Sequence, residues 1–127
     1  MQIISVLDES KASQLSRLIK NGDWVILYYA EWCPHCHTLK PEWDKLKSNV
    51  SSSVNVAEVE SVFVPKLDYD SKVQGYPTIK FYNNNKEIAE FAEERTHDKM
   101  LEFVNHHISK KRANLKLNNL PERKLQN

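Results

Sequence analysis

The 127 residues, with a mass of 14.9 kDa, are enough for a single domain. The composition is 40% hydrophobic, which supplies one modest core and excludes a wholly disordered chain. The longest apolar run is seven residues, Trp24 to Ala30, against about 20 for a membrane-spanning helix, so no transmembrane segment is predicted. Only two cysteines are present, Cys33 and Cys36, which excludes a scaffold of several disulfides.

The charge is divided unevenly along the chain. Residues 1–108 contain 12 Lys and Arg against 16 Asp and Glu, a net charge of −4. Residues 109–127 contain six basic residues and one acid, Glu122, a net charge of +5. We therefore predict a domain over residues 1–108 and a basic C-terminal tail over residues 109–127. No aromatic residue lies among the tail's charges to stack on bases, so nucleic-acid binding is the weaker alternative to a solvated helix end.

The first elements are predicted from hydrophobic spacing. A β-branched strand covers Gln2 to Leu7, and Asp8 caps a helix that ends at Asn21-Gly22. The uninterrupted apolar run from Trp24 to Ala30 is typical of a strand covered on both faces, as in parallel sheets.

The middle of the chain predicts a second helix, a third strand and a third helix. The second helix follows Cys33, is kinked by Pro41, and has the apolar stripe Leu39, Trp43 and Leu46. The third strand covers Val54 to Val59, and a short helix is predicted from Ser61 to Val73.

The last elements are a hairpin and a helix. Strands from Thr78 to Tyr82 and from Glu87 to Phe91 flank an Asn-rich turn, and an amphipathic helix includes Met100 and Val104. The order β-α-β-α-β-α-β-β-α predicts an α/β fold with three layers, in which helices flank a central mixed sheet.

The two cysteines lie where a buried strand passes into a helix, in the string Cys33-Pro34-His35-Cys36. At a helix start, Cys33 meets unpaired backbone N–H groups and the positive end of the helix dipole, and both favour its thiolate. Pro34 suits the first helical position, and a protonated His35 would stabilise the thiolate further. Cys36 lies one turn later, close enough to form a disulfide. This pattern predicts redox exchange between thiols and disulfides.

Three other interpretations of the cysteine pair remain. A zinc site needs four ligands, and the sequence has no second cysteine pair. Histidines such as His37, His106 and His107 would have to supply the two remaining ligands. The string from Cys33 to His37 also satisfies the Cys-x-x-Cys-His pattern of c-type haem attachment. A purely structural disulfide across so small a loop would stabilise little. Redox exchange is favoured over all three.

Three strings carry a resemblance to a known family: residues 28–36 (Tyr-Tyr-Ala-Glu-Trp-Cys-Pro-His-Cys), residues 40–43 (Lys-Pro-Glu-Trp) and residues 75–79 (Gly-Tyr-Pro-Thr-Ile). Together they resemble the thioredoxin-fold catalytic domain of protein disulfide isomerases, over residues 1–108. The Pro-His pair is similar to that of the DsbA-type oxidases. The resemblance implies a thioredoxin-like fold, a thiol–disulfide oxidoreductase, and no bound cofactor or metal.

The resemblance also implies roles for individual residues. Cys33 would form a mixed disulfide with a cysteine-containing protein substrate, and Cys36 would resolve it. Pro77 would be the family's cis-proline, with Tyr76 before it facing the active-site disulfide. Arg95 aligns with the arginine that lowers the pKa of the second cysteine, and its alternative is a solvated charge.

Aromatic and histidine residues around the motif are assigned more simply. Trp32 is predicted to line the rim that docks the substrate peptide, with core packing as its alternative. Tyr28, Tyr29 and Trp43 are predicted in the core, and His37 is predicted to be a surface residue.

Two positions depart from the family pattern. Six residues before Cys33, where the family has a buried acid that relays the second cysteine's proton, this sequence has Leu27. Where the family has the lysine that pairs with that acid, this sequence has Glu58. Either Glu58 supplies the carboxylate from the other strand, or it lies at a solvated strand end. The missing acid and lysine are the best support for the alternative of a non-catalytic interaction module with a thioredoxin fold, and the intact cysteine pair and Pro77 argue against that alternative.

The direction of disulfide exchange, the redox partners and the cellular compartment are predicted from the sequence as well. The Pro-His pair favours oxidation or isomerisation over reduction, with a thiol oxidase or a disulfide reductase as redox partner. We expect a monomer without a membrane partner. The first residues lack the basic and apolar segments of a secretory signal peptide, so a soluble cytoplasmic or virion-associated protein is predicted. The endoplasmic reticulum is the alternative if a signal peptide has been removed.

Overall fold

The observed elements follow the predicted order, with one change in the third helix. The computed structural model describes residues 1–108, so the predicted basic tail, residues 109–127, lies outside the described residues. Along the chain the elements are β1 Ile3–Val6, α1 Glu9–Leu18, β2 Asp23–Tyr29, α2 Pro34–Asn49, β3 Val54–Glu60, a 3₁₀ helix Ser61–Lys66, β4 Thr78–Asn83, β5 Lys86–Glu90 and α3 His97–His107.

A mixed sheet of five strands forms the centre of the described domain, in the order β1-β3-β2-β4-β5. The pairs β1–β3 and β2–β3 are parallel, and the pairs β2–β4 and β4–β5 are antiparallel. Helix α1 covers one face, and α2 and α3 cover the other. The predicted three-layer α/β fold is confirmed.

Strand β2 explains why its sequence is apolar without alternation. Val25 and Leu27 point into the core beneath α2 and α3, whereas Trp24, Ile26 and Tyr28 point into the core beneath α1. Full burial of a large apolar side chain stabilises the fold by about 1.5–3 kcal/mol, so both faces of β2 contribute. Strand β2 lies in the middle of the sheet, and the chain continues from its end to Cys33.

At the starts of α1 and α3, a side chain accepts a hydrogen bond from a backbone N–H group of the first turn. The Asp8 carboxylate accepts the Lys11 N–H at 2.8 Å at the start of α1, and the Thr96 hydroxyl accepts the Lys99 N–H at 3.2 Å at the start of α3. Pro41 lies inside α2, as predicted. None of the helices within residues 1–108 is long and apolar enough to cross a membrane.

The predicted helix from Ser61 to Val73 is wrong in its length and type. Only Ser61–Lys66 is helical, as a 3₁₀ helix, and the chain then runs without regular structure to β4. Side chains from the sheet hold this irregular segment: the buried Lys80 Nζ donates to the Ser71 carbonyl at 2.6 Å, and the hydroxyls of Tyr28 and Tyr69 lie 2.8 Å apart. These tertiary bonds replace the helical hydrogen bonds that the sequence pattern predicted.

The predicted hairpin is confirmed, and its turn has a clear cause. Asn84 and Asn85 have positive φ angles of 50° and 68°, the left-handed conformation that a two-residue turn between antiparallel strands needs. Asparagine adopts this conformation more readily than most residues. The second strand of the hairpin, β5, forms the edge of the sheet opposite β1.

Candidate active site

The two cysteines lie at the N-terminus of α2, as predicted. Cys33 is the N-cap residue, with an extended backbone, and its Sγ accepts the N–H of Cys36 at 3.2 Å. The Cys33 thiol also donates to the carbonyl oxygen of Tyr76 at 3.5 Å. Both thiols are free and buried. A backbone N–H directed at Sγ is the kind of contact that stabilises a thiolate at a helix N-terminus.

The loop that faces Cys33 contains a cis peptide bond between Tyr76 and Pro77, the conformation that the resemblance implied. The ring of Trp32 meets the ring of Tyr76 edge-on, with the centroids 6.1 Å apart. Trp32 is 72% exposed, so the alternative that it packs in the core is wrong. Trp32 and Tyr76 together form an aromatic rim beside the buried Cys33.

The environment of Cys36 favours its protonated form. Burial, followed by the hydrogen bond and the charge of Cys33, raises the pKa of Cys36 to about 11. A backbone hydrogen bond at Ala30 and the positive charge of the exposed Arg95 act in the opposite direction. Arg95 thus affects the pKa of Cys36 in the direction that the resemblance implied. At neutral pH Cys36 has to lose a proton before its sulfur can attack.

Glu58 is buried, with 8% of its surface exposed, so the prediction of a solvated strand end is wrong. It lies directly across from Leu27 in the β2–β3 pair. Its carboxylate accepts hydrogen bonds from Trp43 Nε1 at 2.7 Å, Ser5 Oγ at 2.8 Å and Lys47 Nζ at 3.0 Å. Burial alone would raise the pKa of Glu58, but these donors outweigh burial and lower it. The proton relay through Glu58 stays a prediction.

An acid–lysine pair is therefore present, but its two members come from other positions than in the family pattern. The acid is Glu58 on β3, and the lysine is Lys47 on α2. Because both oxygens of the ionised carboxylate accept hydrogen bonds, two of them from α2 and one from β1, Glu58 fixes α2 against the sheet.

A cavity of about 130 Å³ lies beside Cys36. It is lined by Tyr29, Ala30, Glu31, Cys36, His37 and Lys40.

Tyr29 was predicted in the core, and its side chain is half-buried. Burial, followed by the charges of Glu31 and the nearby acids, raises the pKa of Tyr29 to about 12. The cavity connects a buried thiol with polar side chains.

The two histidines of the first turn of α2 are both exposed. His35 lies between the cysteines, where the sequence placed it. The Nε2 of His37 lies 2.7 Å from the carbonyl oxygen of Glu31. Sequence reasoning assigned His37 only to the surface. The signal that was available is its position directly after Cys36, within the same helical turn.

Glu60 is a second buried carboxylate that sequence reasoning missed. It accepts the N–H of Val62 at 3.0 Å and the N–H of Glu31 at 3.3 Å. Burial alone would raise the pKa of Glu60, but the hydrogen bonds from Val62, Ser61 and Glu31 lower it. Glu60 therefore ties the end of β3 to the segment that leads into Cys33.

The zinc interpretation finds no ligand set in the part of the chain that the structure describes. Within residues 1–108, no group of three or more His, Cys, Asp or Glu side chains could hold a metal ion.

A five-stranded mixed sheet with a dithiol at the start of a helix and a facing cis-proline loop defines a thioredoxin-type domain. Residues 5–106 match the thioredoxin family model, so the chain belongs to the thioredoxin family. It is 33% identical over 94 residues to a thioredoxin domain-containing protein of Theileria parva, covering 74% of this chain and 43% of that protein. It is 36% identical over 84 residues to human protein disulfide-isomerase A6, covering 65% of this chain and 19% of that protein. The chain thus spans less than half the length of these two relatives.

Solved structures show the same fold. The zinc-bound form of human ERp44 matches with a TM-score of 0.67 and 18% identity, covering 83% of this chain and 31% of that chain. A mutant thioredoxin from Halobacterium salinarum matches with a TM-score of 0.65 and 18% identity, covering 85% of this chain and 92% of that chain. The predicted membership in the thioredoxin family, with similarity to protein disulfide isomerases, is confirmed.

Proposed function

We propose that this chain is a thiol–disulfide oxidoreductase that exchanges disulfides with cysteine-containing protein substrates. Cys33 forms the mixed disulfide and Cys36 resolves it. The observation that carries the proposal is the contact between the Cys36 N–H and Cys33 Sγ at the N-terminus of α2. A thiol so placed is activated as a nucleophile and as a leaving group.

In the oxidising direction, the domain starts with a Cys33–Cys36 disulfide. A substrate thiolate attacks Cys33 Sγ, the bond between the two cysteines breaks, and Cys36 leaves as a thiolate that takes up a proton. A second substrate thiolate then attacks the substrate sulfur bound to Cys33. This step forms the substrate disulfide and releases Cys33 as a thiolate. The domain gains the two electrons that the substrate loses.

The same steps in reverse resolve a mixed disulfide in favour of the Cys33–Cys36 disulfide. Cys36 loses its proton, attacks Cys33 Sγ, and the substrate sulfur leaves as a thiolate. This direction reduces the substrate. A disulfide reductase then returns the domain to its dithiol form. In the oxidising direction, a thiol oxidase returns the domain to its disulfide form.

Oxidation or isomerisation is proposed in preference to reduction. Any contact that favours the reduced dithiol makes the Cys33–Cys36 disulfide easier to reduce, and hence a stronger oxidant. The N–H contact supports this direction, and a protonated His35 in the same turn would add to it. Similarity to human protein disulfide-isomerase A6 supports the same class of reaction.

Trp32 and Tyr76 are proposed to contact the substrate peptide. An exposed tryptophan has apolar area to bury against a ligand, and here it stands beside the thiol that reacts. The carbonyl of Tyr76 already accepts a hydrogen bond from Cys33, so a peptide that follows this loop would pass over the sulfur.

Two measurements test the proposal. Wild type should catalyse reduction of insulin by dithiothreitol, and Cys33→Ser should abolish this catalysis. The reduction potential of the Cys33–Cys36 couple should lie between about −180 and −120 mV, the range of isomerases and oxidases. A value near −270 mV, that of thioredoxin, would contradict the proposed direction.

The alternative is an interaction module with a thioredoxin fold and no catalysis. Leu27 in place of the family's buried acid is the observation that favours it. A wild-type protein that leaves the rate of insulin reduction unchanged would support this alternative.

A further inference from the structure

The proton of Cys36 has no evident acceptor in the family's usual place. Cys36 is buried and its pKa is raised to about 11, so its sulfur is protonated at neutral pH. Attack on the mixed disulfide requires the thiolate. Six residues before Cys33, where the resemblance implies a buried acid, the chain has Leu27, which cannot accept a proton.

Glu58 is a poor replacement for that acid. Its two carboxylate oxygens already accept hydrogen bonds from Trp43, Ser5 and Lys47. These donors lower the pKa of Glu58 and so weaken it as a base. A proton acceptor for Cys36 has to be sought elsewhere around the sulfur.

The cavity beside Cys36 provides a route to another acceptor. Its volume of about 130 Å³ exceeds the roughly 10–15 Å³ that a cavity needs to hold one water molecule. Cys36 and His37 both line this cavity, and His37 is also exposed to solvent. A proton that reaches His37 can therefore pass to bulk water.

The hydrogen bond of His37 to Glu31 selects the tautomer that a proton acceptor needs. A backbone carbonyl only accepts hydrogen bonds, so the 2.7 Å contact with the Glu31 oxygen requires a hydrogen on Nε2. In the neutral ring, Nδ1 then keeps its lone pair and can accept a proton.

We propose that His37 accepts the proton of Cys36 when the mixed disulfide is resolved, through water in the cavity that the two residues share. This proposal rests on the proposed function. The S–H proton passes to His37 Nδ1, and the Cys36 thiolate attacks Cys33 Sγ. The Cys33–Cys36 bond forms as the bond between Cys33 and the substrate breaks, and the substrate leaves as a thiolate. His37 then releases the proton to solvent.

Several charged and titratable groups surround this path. Glu31 and Lys40 line the cavity with Tyr29, and Arg95 acts on Cys36. The charges of Glu58 and Glu60 act on Tyr29 from β3. Carboxylates, tyrosines, lysines and arginines ordinarily keep their charge state between about pH 5 and 8, whereas histidine changes its own. His35 is the second histidine of the same turn, so its contribution has to be separated by a variant.

The test uses the disulfide of thionitrobenzoate, which releases one coloured thiolate at each step. Attack by Cys33 releases the first, at a rate proportional to reagent concentration. Attack by Cys36 on the resulting mixed disulfide releases the second, at a rate independent of that concentration. The second phase thus measures the step in which Cys36 loses its proton.

His37→Gln is the informative variant, because the amide nitrogen of Gln can still donate to the Glu31 carbonyl but cannot take a proton. We expect it to slow the second phase by on the order of 10²-fold at neutral pH, a typical effect of removing a general base. The wild-type rate should show an inflection between about pH 5 and 8, and the variant should lose it. Added imidazole should accelerate the second phase of the variant.

Two matched variants separate the alternatives. His35→Gln should alter the first phase and leave the inflection of the second phase in place. His106→Gln, on α3 and outside the lining of the cavity, should alter neither. A His37→Gln protein with the wild-type rate and the wild-type pH profile in its second phase would overturn the role of His37. Failure of the proposed function is seen separately, as an absence of insulin-reduction catalysis in wild type.

Discussion

Substitution of Glu58 by Gln tests the buried network under α2. The change keeps the size of the side chain and one acceptor oxygen, but it removes the charge and turns the other oxygen into a donor. Hydrogen bonds to charged groups contribute about 1.5–3 kcal/mol each to stability. Removing one member of a fully buried ion pair costs about 3–5 kcal/mol. Lys47 is 20% exposed and also lies 3.3 Å from Asp44, so it keeps some water and a second partner. We therefore expect Glu58→Gln to lower the free energy of unfolding by about 2 kcal/mol at neutral pH, a value within the lower of the two ranges.

The effect of Glu58→Gln should depend on pH in a defined direction. The folded-state pKa of Glu58 lies below its ordinary value of 4.5. The ionised carboxylate therefore contributes its full stability above about pH 4.5 and loses it as the pH falls through the lower, folded-state value. The difference in unfolding free energy between wild type and Glu58→Gln should be largest near neutral pH and should vanish in strong acid.

Urea unfolding followed by tryptophan fluorescence measures this difference. A double-mutant cycle with Lys47→Met should give a coupling energy of about 1–2 kcal/mol between the two side chains. Glu102→Gln is the matched control, since Glu102 is an exposed acid on α3 whose removal should change stability by less than about 0.5 kcal/mol.

The same variant separates anchoring from proton transfer. If Glu58 fixes α2 to the sheet and His37 accepts the Cys36 proton, Glu58→Gln lowers stability but leaves the rate of mixed-disulfide resolution unchanged. A slower resolution step in a protein of normal stability would refute this reasoning and establish Glu58 as the proton relay. A variant as stable as wild type at neutral pH would refute the network itself.

Three further predictions concern residues around the site. Arg95→Gln should slow the resolution step because the positive charge of Arg95 lowers the pKa of Cys36, and added salt should reduce the difference between the two proteins in stopped-flow measurements. Lys80→Met should lower the unfolding free energy in urea by about 1–3 kcal/mol, because it leaves the Ser71 carbonyl without its buried donor. Trp32→Ala should change the unfolding free energy by less than about 0.5 kcal/mol while raising the KM for a peptide disulfide, because the ring is exposed at the rim. An unchanged KM would remove Trp32 from the substrate surface.

Features encoded over short stretches of sequence could be predicted. The continuous apolar run of β2 required burial on both faces, and the structure buries it on both. The Asn-rich turn required left-handed backbone, which Asn84 and Asn85 adopt. The position of Cys33 at a helix start followed from the strand before it and from Pro34 after it. Each of these predictions depends on residues that are neighbours along the chain.

Features that depend on distant residues could not be predicted in the same way. The donors to Glu58 come from β1 and α2, and Ser5 is 53 residues away in sequence. No local pattern distinguishes a carboxylate with such partners from one at a solvated strand end. The irregular chain after Lys66 is held by Lys80 and Tyr28 from the sheet, so helical spacing in that segment was misleading. The role proposed for His37 likewise depends on a cavity between elements.

The most direct test of the account is to trap the mixed disulfide. In Cys36→Ser, Cys33 can form a bond with a substrate cysteine but no second thiol resolves it. Incubation with a protein disulfide substrate, followed by acid quenching and mass spectrometry, should therefore show a covalent adduct on Cys33. The matched Cys33→Ser protein should form none, because burial, the largest cause of the raised pKa of Cys36, remains and keeps this sulfur protonated at neutral pH. Adducts that form equally on both variants, or on neither, would contradict the assignment of Cys33 as the nucleophile.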